Sequence, residues 1–387
     1  MRWVLAALLL AGVLAGCSDG GDEGGSSDDS VTDDSTPTTA LEGAAFVEPG
    51  PYAAGVTSLE LASGARLQVW YPADPADVEG EEQVSYDVKD EVPAALLEGL
   101  EGVDELDATY LTDAYQDVPA SADGPFPYVV YAHGFAAYPN VSSDLTSHLA
   151  SWGFVVAAPE FLSRSLAGQL SGGGEATQTD VEVVAETGEV VAATGGPLDG
   201  LTDTSEVAVI GHSAGGGTAA VMSTEPGVVT YVPMSAGGGR RNAEGEPEPI
   251  ELGDVPSLWV TGSDDGVAEL EDVQEGWARA TTPTRLVVVE GAGHNDAITD
   301  ICEVGEVPGG AVGLAIEVGF PLSEDLQALG LDGCVPEGLP SADGQALVAQ
   351  VVTAQLRWAY GIDDEPVGLD DASLEEVGTP FTLEENL

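Results

Sequence analysis

The sequence predicts an α/β fold, a mostly parallel central sheet with helices on both faces. Three observations carry this prediction. Short runs that are apolar throughout recur along the chain, stretches with helical spacing lie between them, and the chemically suggestive residues come directly after the runs. Strands apolar on both faces must be covered on both, which requires helices on each side of the sheet. Sites in such sheets form at the carboxyl ends of the strands.

The elements follow in order. Leu67 to Tyr71 predicts an early strand, and Tyr128 to Ala132 a buried one that ends at His133-Gly134. Ser142 to Trp152 has helical periodicity, with Leu145, Leu149 and Trp152 on one face. Phe154 to Ala158 is the next strand, and Val181 to Ala193 the next helix. Val207 to Ile210 runs into Gly211, and a helix resumes from Ala219. Val228 to Val232, Ser257 to Val260 and Arg285 to Val289 are further strands. Ala346 to Tyr360 closes the domain as a helix, with Leu347, Val351, Ala354 and Trp358 on one side. No repeat at solenoid periods is visible.

Gly211-His212-Ser213-Ala214-Gly215 stands between a strand and a small-residue helix, the context a nucleophile elbow requires. The glycines allow the tight bend, and the serine stands proud at the sheet edge. A serine hydroxyl needs a base. The chain has four histidines, and nucleophile elbows are followed by the acid and then the histidine. His294, in Gly291-Ala292-Gly293-His294, is the only histidine downstream of Ser213. His212 reads as a structural elbow residue, His133 as a brace for its loop, and His148 as a packed or surface histidine. The acid belongs after the strand Ser257 to Val260, where Asp264 and Asp265 are both candidates. Acyl transfer also needs oxyanion donors. The N–H of Ala214 is one, and the N–H of Phe135, in the His133-Gly134-Phe135 loop, is the other.

The N-terminus reads as a targeting segment. Arg2 precedes an apolar run from Trp3 to Val13, too short to span a bilayer comfortably. Leu14-Ala15-Gly16-Cys17 resembles a bacterial lipobox, in which the cysteine is lipidated and becomes the new N-terminus. The expected organisation is a signal peptide over 1–16, a lipid-anchored flexible tether over 17–42, the folded domain over 43–362 and an acidic tail over 363–387. An extracytoplasmic cell-envelope lipoprotein, or a secreted protein, follows from this. With Cys17 lipidated, Cys302 and Cys334 remain as a disulfide pair in an oxidising setting.

Charge narrows the partners. Sixty-eight acidic residues face 9 basic ones, for a net charge of −59, and Lys89 is the only lysine. Such a field repels nucleic acid and anionic bilayers and disfavours strongly anionic substrates. The expectation is a monomer with no nucleic-acid partner, touching the membrane only through its anchor. Acidic runs such as Asp363-Asp364-Glu365 and Asp370-Asp371 lack the Asp-x-Asp-x-Asp-Gly spacing of a calcium loop and read as solvated charge.

Several segments together resemble a known group. Gly50-Pro51-Tyr52, Val69-Trp70-Tyr71-Pro72, Pro127 to Phe135, Leu149 to Ala158, Gly211 to Gly216 and Gly293-His294 to Cys302 are similar to the platelet-activating-factor acetylhydrolase and dienelactone-hydrolase-like branch of α/β-hydrolases. The likeness spans roughly residues 48 to 362 with gaps. It implies an α/β-hydrolase fold and a serine carboxylic-ester hydrolase working through an acyl-enzyme, without metal or organic cofactor. It favours Asp265 over Asp264 as the acid. The acidic field leaves neutral or zwitterionic esters, and the expectation is short to medium acyl chains or acetylated lipids. Dienelactone hydrolases use cysteine where this chain has Ser213, so that activity does not transfer. Polyester-degrading, cutinase-like relatives carry an aromatic where this chain has Met234-Ser235-Ala236, which weakens that alternative. A non-catalytic binding lipoprotein is the other rival. The segment 303–333 is unexplained by the resemblance; it is expected either to cap the site or to pack on the domain's flank.

Overall fold

The structure is a computed structural model that describes residues 43–387 apart from 175–176, 242–246 and 336–337. The signal peptide, Cys17 and the tether lie outside the described residues.

The strands in chain order are β1 (Ala53–Glu60), β2 (Arg66–Ala73), β3 (Gln83–Asp87), β4 (Thr109–Gln116), β5 (Phe126–Ala132), β6 (Val155–Pro159), β7 (Thr202–His212) and β8 (Val228–Met234). Two short strands, β9 (Gly239–Arg241) and β10 (Pro247–Pro249), pair with each other. Then come β11 (Ser257–Gly262), β12 (Thr284–Val289) and β13 (Phe381–Asn386). The helices are α1 (Ala94–Leu97), α2 (Ser143–Ser151), α3 (Leu166–Leu170), α4 (Asp180–Val191), α5 (Ala214–Met222), α6 (Leu270–Trp277), α7 (Gly310–Glu317), α8 (Glu324–Leu331), α9 (Ser341–Ala359) and α10 (Asp371–Val377).

Eleven strands form one sheet in the order β13-β12-β11-β8-β7-β5-β6-β2-β1-β4-β3. The six from β12 to β6 are mutually parallel. Antiparallel pairing occurs toward both edges. Side chains alternate between two cores. Val129 and Tyr131 of β5 pack on one face with Leu145 and Leu149 of α2 and Leu347 and Val351 of α9. Tyr128 and Val130 pack on the other with Val184 of α4, Met222 of α5 and Val273 of α6. The doubly covered sheet is the α/β-hydrolase fold that the sequence predicted.

Strand order reverses between β5 and β7: β6 lies on one side of β5 and β7 on the other. A crevice opens at such a switch point. The loops after β5 and β7 carry His133-Gly134-Phe135 and Ser213.

One boundary is corrected. Residues 363–387 are not a separate tail. Asp370 caps α10 by accepting the Ser373 N–H, and β13 adds to β12 in continuous register from Thr284–Asn386 to Val289–Phe381. Acidity misled because β13 is an edge strand, where Glu384 and Glu385 lie on opposite faces and bond Gln274 and Arg285. No helix among the described residues is long and apolar enough to cross a membrane.

Candidate active site

Ser213 sits between the end of β7 and the start of α5 at φ 56°, ψ −120°. Non-glycine residues seldom occupy positive φ, and the turn holds it there at a cost of roughly 1–3 kcal/mol. Its N–H donates to the Met234 carbonyl at 2.8 Å. A Cβ on Gly215 would overlap the carbonyl oxygens of Ala132 and His133, and one on Gly211 would overlap the Gly215 carbonyl. Only glycines let β5, β7 and α5 approach this closely. Gly134 brings the loop after β5 against the serine: a Cβ there would lie 3.3 Å from the Ser213 Cβ.

That loop is held from below. His133 is fully buried; its Nε2 accepts the Phe161 N–H at 3.0 Å, and its Nδ1 lies 2.9 Å from the Gly134 carbonyl. Burial first, then the Arg164 charge, push its pKa down to about 3, so the ring is neutral. Arg164 donates to the His133 carbonyl at 2.9 Å, to Asp180 at 2.7 Å and to Thr218 Oγ1 at 3.0 Å. One guanidinium thus ties the β5 loop to α4 and α5. Among the described residues, neither the Phe135 nor the Ala214 N–H has an acceptor.

His294 follows β12 through a turn at Gly291, where φ is 84°. It is 1% exposed, and its Nδ1 lies 3.0 Å from both Asp265 oxygens. Its Nε2 is buried and has no hydrogen-bond partner among the described residues. Asp265 also accepts the N–H groups of Val267 at 2.9 Å and Ala268 at 2.8 Å. Burial pushes the Asp265 carboxyl up, but the hydrogen bond and charge of His294, with those two amides, outweigh it and hold it below the usual carboxylate value. Asp264 is exposed and accepts the Ser263 hydroxyl at 3.0 Å instead. His212 lies against the His294 ring, centroids 4.7 Å apart, with Nε2 donating to the His294 carbonyl at 2.8 Å. Burial and then His294 push its pKa down to about 3. His148 is distant in sequence from these groups and is also lowered, to about 4, by burial.

Ser213, His212, His294 and Phe135 line one cavity of about 160 Å³. Its other walls are apolar. One comes from the stretch between β3 and β4, including Val88, Val92, Leu97 and Leu106; the other comes from 301–330, including Leu314, Val318, Leu326 and Leu329. Of the two placements expected for 303–333, the structure gives the one over the site. A disulfide between Cys302 and Cys334 joins the two ends of that segment.

Sequence reading missed the first wall, because its 3-10 turns and four-residue helix have no periodicity to detect. The sole lysine lies there: Lys89 Nζ donates to the Leu106 carbonyl at 2.6 Å and is 3.4 Å from Asp87. Arg164 was missed as well; its one signal is rarity, as one of 9 basic residues.

A family model described as chlorophyllase matches residues 117–236, and one described as platelet-activating factor acetylhydrolase, isoform II, matches residues 48–171. The first spans the elbow and both span the loop after β5; neither reaches Asp265, His294 or the disulfide-bounded segment. No curated protein matches the chain. Among solved structures, a ferulic acid esterase from Streptomyces cinnamoneus is similar at TM-score 0.51 and 20% identity, covering 81% of this chain and 92% of its own. That likeness shows the fold. Together, the two family matches and the shared fold support an α/β-hydrolase serine esterase.

Proposed function

We propose that this chain hydrolyses carboxylic esters through an acyl-enzyme, with Ser213 as nucleophile, His294 as general base and Asp265 as the acid that orients it. The carrying observation is the buried, unpartnered Nε2 of His294, on a ring fixed by Asp265 through Nδ1, at the cavity that Ser213 also lines. An imidazole oriented on one nitrogen and free on the other is what proton transfer from a serine requires. His294 takes the Ser213 proton as Oγ attacks the ester carbonyl. The N–H groups of Phe135 and Ala214 receive the oxyanion. His294 then protonates the leaving alcohol, and water repeats the sequence on the acyl-enzyme.

The substrate class is a neutral or zwitterionic ester of short to medium acyl length, or an acetylated lipid. Apolar walls support an apolar group in the cavity, and the −59 net charge disfavours anionic substrates. Ser213→Ala loses turnover of p-nitrophenyl acetate by on the order of 10⁵-fold while the protein stays folded. Retained turnover overturns the proposal.

We also propose that the mature chain begins at a lipidated Cys17, tethering a monomeric enzyme to the cell envelope outside the cytoplasm. The support is the sequence of residues 1–17. Cys17→Ser abolishes incorporation of labelled fatty acid; unchanged labelling contradicts the anchor.

A further inference from the structure

The acid and the base sit on different loops, after β11 and β12. Parallel pairing from Ser257–Thr284 to Gly262–Val289 fixes the roots of those loops. Beyond those roots the loops are tied by the Ser263 N–H to the Val289 carbonyl at 3.0 Å, the Gly291 N–H to Ser263 Oγ at 2.8 Å and the Asp264 N–H to the Ala292 carbonyl at 2.9 Å, but these ties stop short of Asp265 and His294 themselves. A further hold at these two residues themselves would keep the Asp265–His294 contact in place.

That contact is held from the cavity's outer wall. Asp332 follows α8 directly, and its carboxylate reaches both loops. Oδ1 accepts the main-chain N–H of His294 at 2.7 Å, and Oδ2 accepts that of Gly266 at 3.2 Å. Gly266 is the residue after Asp265. The Asp332 carbonyl takes the Asn295 N–H at 3.2 Å and the Asn295 Nδ2 at 2.9 Å, and Nδ2 also donates to the Leu329 carbonyl at 2.8 Å. Close approach makes this possible: a Cβ on Gly293 would lie 2.5 Å from the Gly333 nitrogen, and one on Gly266 would lie 2.7 Å from Asp332 Oδ2. Two residues on, Cys334 is bonded to Cys302, which lies eight residues past His294. The segment is therefore anchored beside both loops.

We infer that Asp332 is a positioning residue for the proposed triad: its carboxylate clamps the base loop to the acid loop, so that 303–333 aligns the catalytic pair as well as walling the cavity. This rests on the ester-hydrolase reading. Misplacing a catalytic group by about 1 Å can cost 10²-fold in rate, and the two N–H bonds to one carboxylate add a tie at His294 and beside Asp265, past the direct bonds between the loops.

The test separates alignment from wall-building by using p-nitrophenyl acetate, whose acyl group is too small to depend on a distant wall. Asp332→Ala lowers kcat on it by about 10- to 100-fold with KM within about twofold. Asp332→Asn keeps one acceptor of two, and falls between the wild type and Asp332→Ala. It preserves shape, so it decides the matter if the alanine variant does not fold. Labelling rates with a fluorophosphonate follow the same order. Wild-type kcat in both variants, or a loss confined to KM or to longer acyl chains, overturns the clamp. Ser213→Ala is assayed alongside. Turnover retained there strikes the reading of the site itself, whereas turnover lost there but unchanged in the Asp332 variants strikes only the clamp.

Discussion

The serine side and the histidine side of the cavity are built by opposite means. On the serine side, Ser213 and Phe135 stand at the ends of adjacent parallel strands, and the brace beneath them is buried: His133, Arg164 and Thr218. On the histidine side, the contact between His294 and Asp265 joins two loops, and its outer support comes from a segment that begins after the histidine in sequence. The first arrangement is set by the sheet. The second adds a side-chain clamp and a disulfide to the few bonds between its two loops. The site thus has one half that should withstand local loosening and one half that should not.

Opening Cys302–Cys334 probes this difference with the largest effect on stability. The bridge closes a loop of sequence separation 32, and the chain-entropy relation assigns such a loop about 3–4 kcal/mol. Denaturant unfolding before and after reduction is expected to show a loss of that order. In the reduced protein, turnover of p-nitrophenyl acetate falls while the elbow keeps its buried packing. Unchanged stability and turnover together would mean that the histidine side is as self-supporting as the serine side.

Arg164→Met attacks the other half. It leaves the His133 carbonyl without its guanidinium and Asp180 without its cation. Breaking a buried pair typically costs about 3–5 kcal/mol, but Asp180 is one-third exposed and can rehydrate, so about 2–3 kcal/mol is expected. The loss is read as a lower unfolding midpoint. An unaltered midpoint would show that the β5 loop does not need this brace.

The smallest expected effect concerns pH and the start of α2. Asp300 accepts the Ser143 N–H at 2.6 Å, and its neighbour Asp144 is partly buried. Burial, then the Asp144 charge, push Asp300 well above the ordinary carboxyl value; burial, then Glu303 and Asp113, push Asp144 up to about 7. Carboxyls raised on folding stabilise the protein fully below the unfolded value near 4, and that contribution is lost as pH rises through the folded value. Buried His133 and His212, both lowered to about 3, work the other way between about 3 and 6.5, and are common to wild type and variant. Asp300→Asn is therefore expected to gain stability relative to wild type as pH rises from 4 to 8. A difference that does not change with pH would contradict the buried-carboxyl account.

The two sides were also unequally legible in the sequence. The serine side is local: a wholly apolar strand, a glycine-flanked serine and a helix lie within one stretch, and the positive φ at Ser213 is what those glycines accommodate. His294 was legible because chain order left no other histidine. Asp264 and Asp265 were not separable from composition or spacing; the turn after Gly262 decides which carboxylate meets the ring. Asp332 carried no signal, because its role lies in main-chain N–H groups 66 and 38 residues away in sequence. The edge strand β13 was hidden for a related reason: only Phe381 and Leu383 of it pack on the core, and the consecutive Glu384 and Glu385, which bond Gln274 and Arg285 on opposite faces, mimic a solvated tail.

The central claim is that Ser213 is the nucleophile of an acyl-transfer site. Its most direct measurement is reaction of the folded protein with a fluorophosphonate, followed by mass mapping of the adduct. One phosphonyl group per chain is expected, carried by the peptide containing Ser213, with no adduct in Ser213→Ala. An adduct on another residue, or an unreactive wild-type protein, would contradict it.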